Sequence, residues 1–142
     1  MNSGEKLTAA VVITVPYHDA DPAGVAWHGN YFRYFDLARC ALLDIFDYGY
    51  KRMAESGYVW PVVDTRVRYI RPIYYHQKIV VRATLLESEY RLKIAYEIHD
   101  EEGEKLTKGY TTQVAVDANS GELCVGSPSA LIDRLNSLAG NG

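Results

Sequence analysis

Tyr17-His18-Asp19-Ala20-Asp21-Pro22-Ala23-Gly24-Val25-Ala26-Trp27-His28-Gly29-Asn30-Tyr31 is the stretch on which the reading of this chain turns. It packs two carboxylates near two imidazoles, with Pro22 and Gly24 as turn formers. A β-branched run, Val11-Val12-Ile13-Thr14-Val15, precedes it and reads as a strand within Leu7 to Tyr17. An amphipathic helix follows it. A strand end, a polar turn and a helix start together make a place for chemistry. The first amides of a helix have no partner within it, and the helix dipole adds partial positive charge there.

Outward from that stretch, Tyr31, Phe35, Ala38, Leu42 and Ile45 recur at helical spacing and form one face. Asn30 is the expected N-cap and Gly49 the expected C-terminal stop after Tyr48. Arg33, Asp36 and Arg39 share another face and can pair. Lys51 to Ser56 adds a further turn of helix. The period then changes to two. Val62 to Ile70, Gln77 to Leu86, Leu92 to His99 and Lys105 to Val116 read as strands, with short spacings that favour antiparallel hairpins. Ser127 and Pro128 open a last, short helix as N-cap and first residue. Leu131, Ile132, Leu135 and Leu138 are its apolar stripe. Met1 to Lys6 and Ala139 to Gly142 read as loose tails. The order gives a single α+β domain over residues 1–142: an antiparallel five-stranded sheet over one long helix, plus the short C-terminal helix. One sheet wrapped on one helix leaves an edge or a face bare, so pairing with a second copy is expected.

The 142 residues can bury about two-thirds of their unfolded surface, so neither a disulfide nor a metal is needed for a core. The net charge of -3 argues against a nucleic-acid binder. Cys40 and Cys124 show no metal or disulfide spacing. With no apolar run of membrane-spanning length and no signal-peptide pattern, a cytoplasmic location is expected. Twelve tyrosines point to amphipathic surfaces, either a subunit interface or a ligand cleft.

Asp21-Pro22-Ala23-Gly24-Val25 and His28-Gly29-Asn30-Tyr31, with this order of elements, resemble the 4-hydroxybenzoyl-CoA thioesterase family of hotdog-fold enzymes. The similarity runs from about Thr8 to about Leu135 and is nearest to the branch associated with the Tol-Pal system. It implies an acyl-CoA thioesterase that releases a free acid and coenzyme A without cofactor or metal. It places Asp21 as nucleophile or general base, with the His28 amide polarising the thioester carbonyl. One well-placed donor of that kind is worth about 3 kcal/mol in the transition state. Tyr17 would hold Asp21 by a hydrogen bond, or else be a half-buried strand aromatic. Gly29 permits close approach of a ligand, and Asn30 lines the site or caps the helix. Trp27, Tyr31, Tyr58 and Trp60 would line an acyl slot. The resemblance also implies dimers with a continuous sheet, paired into tetramers.

Other readings bear on the same residues. Asp21 before a proline is also an ordinary turn aspartate. His18, Asp19, Asp21 and His28 resemble a metal-ligand set, although a strand-rich chain with only His76 and His99 besides does not fit the helical His-Asp hydrolases. His18 and Asp19 read as solvated loop residues. Arg66, Arg68, Arg71 and Arg82 are candidates for the phosphates of coenzyme A, or simply a solvated strand face. An acyl-carrier protein in place of coenzyme A, or a non-catalytic acyl-thioester-binding module, are the remaining alternatives.

Overall fold

The computed structural model describes residues 6–141. Met1 to Glu5 of the expected N-terminal tail lie outside them. Strand β1 (Thr8–Thr14) leads through one 3-10 turn (Tyr17–Asp19) to helix α1 (Asn30–Ile45). A short helix α2 (Tyr50–Glu55) and strands β2 (Tyr58–Val59), β3 (Val62–Tyr69), β4 (Lys78–Glu87), β5 (Leu92–His99), β6 (Lys105–Gln113) and β7 (Val116–Asp117) follow. Helix α3 (Ser129–Asn141) ends the chain. Because α3 continues to Asn141, the expected loose tail at 139–142 is instead helical up to its last described residue.

Five strands form one antiparallel sheet in the order β1-β4-β5-β6-β3. Alternation explains it. Ile79, Val81 and Ala83 of β4 and Ile94, Tyr96 and Ile98 of β5 face inward and are buried. Helix α1 lies across them with Tyr31, Tyr34, Phe35, Ala38, Leu42 and Leu43 turned to the sheet. Ile45, expected on that face, is 42% exposed, because the helix ends there and Phe46 takes the core position. Gly109 lets α1 approach the sheet: a Cβ there would meet the Phe35 ring at 3.2 Å and the Arg66 carbonyl at 2.3 Å.

Three expected details come out differently. Gly49 does not stop α1. It is extended and starts α2, while the left-handed position belongs to Asp47 (φ 54). Ser127 caps nothing: its buried hydroxyl has no partner among the described residues, and Pro128 supplies the carbonyl that accepts from Leu131 and Ile132. β3 and β4 are not a hairpin. β3 crosses to pair with β6 at the far edge, and β4 pairs with β1. The connection is free to cross because Arg71-Pro72 interrupts the ladder, and the fully buried Ile73 anchors it inward. A small second sheet, β2 with β7, had no legible strand signal at two residues each.

Candidate active site

The chain leaves β1 and folds into a tight hairpin over residues 20–26. Gly24 donates to the Asp21 carbonyl at 2.9 Å, and Asp21 donates to the Val25 carbonyl at 2.8 Å. Gly24 has φ +80, the left-handed conformation that closes such a turn. The connection between β3 and β4 grips the hairpin from one side. Ala26 donates to the Ile73 carbonyl at 2.6 Å and Tyr75 to the Gly24 carbonyl at 3.2 Å. The start of α1 grips it from the other.

Asp21 is exposed at the hairpin's bend. Its Oδ1 accepts from the Ala23 amide at 2.9 Å and the Val25 amide at 3.3 Å, as a turn aspartate does. Its Oδ2 makes no hydrogen bond among the described residues. The turn reading and the chemical reading therefore use different oxygens of one carboxylate. Asp21 lines a cleft of about 500 Å³ with Val25, Trp27, His28, Tyr31 and, from the end of β3 onward, Tyr69 to Pro72.

At the mouth of α1 the expected cap is absent. Gly29 occupies the N-cap position with no side-chain hydrogen bond to the helix. Asn30, expected as cap, is the first helical residue, and its Nδ2 donates to the Asp19 carbonyl at 2.8 Å. The Asn30 and Tyr31 amides are taken by the Trp27 and His28 carbonyls. The amides of His28 and Gly29 make no hydrogen bond to any described residue. Two bare donors thus sit at the positive end of the α1 dipole, beside the cleft. The His28 imidazole is exposed and leans on the Trp27 ring, 4.9 Å away between centroids. Trp27 lies over Gly29 so closely that a Cβ there would come within 2.0 Å of the indole. The buried Tyr31 meets the Tyr69 ring edge-on at 4.9 Å, and burial raises its pKa.

Four expected positions are corrected. Tyr17 does not hold Asp21. It lies in the 3-10 turn, 76% exposed, with its ring edge-on to Tyr75 at 5.4 Å, and it is no half-buried strand aromatic either. Trp60 does not line the cleft. It is in the core, where its Nε1 donates to the Tyr48 hydroxyl at 3.0 Å. Tyr58 is on β2, also away from the cleft-lining residues. Asp19 is not solvated: it is buried at 3% exposure, its Oδ2 accepting from Arg33 and, at 2.8 Å, from Tyr34. His18 is solvent-facing as expected, at 82% exposure. His18 Nε2 lies 3.6 Å from Asp19 Oδ1, while Oδ2 is taken by Arg33 and Tyr34, and no three metal-ligating side chains converge among the described residues. Arg33, expected to join Asp36 and Arg39, turns to Asp19 instead, while Asp36 and Arg39 do pair.

Of the four candidate phosphate arginines only Arg71 reaches this cleft, where it also pairs with Glu104 at 2.9 Å. Arg66 and Arg68 line a separate hollow with Lys108 and Tyr110. Of the cleft wall from Tyr69 to Pro72, the sequence reading had singled out only Arg71, as a candidate for phosphate.

Comparison with known proteins agrees with this architecture. YneP, a candidate acyl-CoA thioesterase of Bacillus subtilis, is 28% identical over 109 residues, covering 76% of this chain and 79% of its own. The structure of a DHNA-CoA thioesterase from Staphylococcus aureus superposes with a TM-score of 0.81 at 26% identity, over 94% of this chain and 89% of that one. A 1,4-dihydroxy-2-naphthoyl-CoA thioesterase from Synechocystis gives 0.81 at 19% identity, over 93% and 98%, a likeness of fold alone. The family model of the thioesterase-like superfamily matches residues 15–134, most of the chain, and the protein therefore belongs to that superfamily and has its hotdog fold.

Proposed function

We propose that this thioesterase hydrolyses acyl-CoA esters in the cleft between the Asp21 hairpin, the mouth of α1 and the end of β3. The observation that carries the reading is the division of labour within Asp21. Oδ1 is pinned by its own turn and Oδ2 is left unbonded, in a residue that lines the cleft with His28, whose amide and that of the neighbouring Gly29 are unpaired among the described residues. Oδ2 takes a proton from water as the water oxygen bonds to the thioester carbon. The carbonyl oxygen gains the negative charge and is held by the bare amides. The C–S bond then breaks, and the coenzyme A thiolate recovers the proton from Asp21, leaving a free acid and a thiol. Direct attack by Oδ2 is the alternative within the same site, and an acyl-aspartyl anhydride trapped by hydroxylamine would identify it.

The names of the relatives support coenzyme A as the carrier over an acyl-carrier protein. The aromatic walls Trp27, Tyr31 and Tyr69 favour a flat aryl acyl group, in keeping with the 4-hydroxybenzoyl-CoA branch. A second copy pairing along the open edge of β3 would complete the working form, and two such dimers the tetramer. Thiol release from acetyl-, octanoyl-, palmitoyl- and benzoyl-CoA tests the reading. Hydrolysis fastest with benzoyl-CoA is expected, and no release from any ester would leave only a non-catalytic acyl-thioester-binding module.

A further inference from the structure

The most heavily bonded residue near the cleft is one that lines no part of it. Asp19 donates its amide to the Pro16 carbonyl at 3.0 Å, at the exit from β1. Its carbonyl accepts from the Trp27 amide and from Asn30 Nδ2, both at 2.8 Å. Its carboxylate accepts from Arg33 and Tyr34 in the first turns of α1. One residue thus joins the strand exit, both legs of the hairpin and the helix start. Asp21 is two positions along the same chain, and the bare amides of His28 and Gly29 lie between the other partners. The bend is closed by its own hydrogen bonds and held by Ile73 and Tyr75, and on the side of α1 its placement rests on the bonds of Asp19.

Burying a carboxylate is costly unless it is paired, and a buried ion pair adds little net stability over an apolar contact of the same size. What it supplies is direction: donors on two successive residues of a helix narrow the placements open to the acceptor. Burial and the bond to Asp19 push the Tyr34 hydroxyl pKa well above its ordinary value, so it stays a donor at all physiological pH.

We propose that Asp19, through Arg33 and Tyr34, is the positioning residue that fixes the distance between the Asp21 carboxylate and the amides at the mouth of α1. This rests on Asp21 being the reacting carboxylate. Asp19 touches no substrate and acts only through the frame it holds.

The test uses Asp19→Asn, Tyr34→Phe and Asp21→Asn in the full chain. It uses whichever of acetyl-, octanoyl-, palmitoyl- or benzoyl-CoA is turned over fastest, with the matching non-hydrolysable thioether. Calorimetric titration with the thioether gives the folded, binding-competent fraction and Kd, and thiol release gives kcat per competent chain. A misplacement of a reacting group by an ångström costs about 100-fold, so Asp19→Asn is expected to lower kcat by about 30- to 100-fold while Kd stays within about threefold. Tyr34→Phe, which keeps the Arg33 contact, is expected to lower kcat by about three- to tenfold. If Asp19→Asn binds no thioether, Tyr34→Phe carries the test by the same split. Loss of Kd in proportion to kcat would mean a merely structural role and overturn the proposal. A wild-type kcat in Asp19→Asn beside an inactive Asp21→Asn would overturn it too, leaving the site intact. A wild-type kcat in Asp21→Asn would overturn the reading of the site itself.

Discussion

Asp21 has one carboxylate oxygen held by its own turn, and the proposed chemistry falls to the other. Asparagine keeps an oxygen for the Ala23 and Val25 amides and loses the charge. Asp21→Asn should therefore cost under about 0.5 kcal/mol of stability. It should lower kcat by about 100- to 10,000-fold, the usual worth of a proton acceptor. Thermal melts beside thiol-release rates check both halves. Gly29 is needed for another reason. Its φ of -62 would accept any residue, but the Trp27 indole occupies the space of a side chain. Gly29→Ala should push that ring out of the cleft wall and raise KM by about tenfold, the worth of one well-packed contact, with a smaller change in kcat. Michaelis curves on the fastest ester decide it. At this scale the sequence was half legible. Asp21 and His28 stood out because breakers and a helix start frame them. Asp19 did not, because nothing local shows that Arg33 and Tyr34, fourteen and fifteen positions on, will turn toward it.

Among the elements, α2 and β2 pack together beside Tyr48 and Trp60, a region from which the sequence reading had placed Tyr58 and Trp60 in the acyl slot. Trp60 and Tyr48 bond to each other, and Tyr48 also meets the Ser56 hydroxyl at 2.9 Å. Trp60→Phe should leave the Tyr48 hydroxyl short of a partner and cost about 1–3 kcal/mol. Acyl preference should stay unchanged, as denaturant titration and the four-ester panel would show. The docking of α2 on α1 has its own pH limit. Burial and the bond it donates to Asp36 push the Tyr50 phenol from 10.0 up to about 12. A folded-state value above the unfolded one means the contribution is complete below pH 10 and is lost as pH rises toward about 12. Denaturation midpoints measured from pH 9 to 12 should fall, and less steeply for Tyr50→Phe. The long strands were legible because their side chains alternate. The crossing of β3 to the far edge was not, since hairpin spacing is a local rule and pairing with β6 is set by the whole sheet.

For the molecule as a whole, charge and apolar surface are unevenly spread. Net charge is -3, yet Arg66, Arg68 and Lys108 cluster on one side of the sheet. Among the described residues β3 has no strand on its outer edge, and Val62, Val63 and Tyr69 are all exposed. Tyr69 belongs to this strand and to the cleft as well. Occupation of that edge by another copy would cover the strand and wall the cleft in one event. Turnover per chain should then fall on dilution in step with the sedimentation coefficient, whereas a constant rate alongside a falling coefficient would separate the two. The amount of protein a cell makes would itself act as a throttle, with sparse copies idle and crowded ones at work.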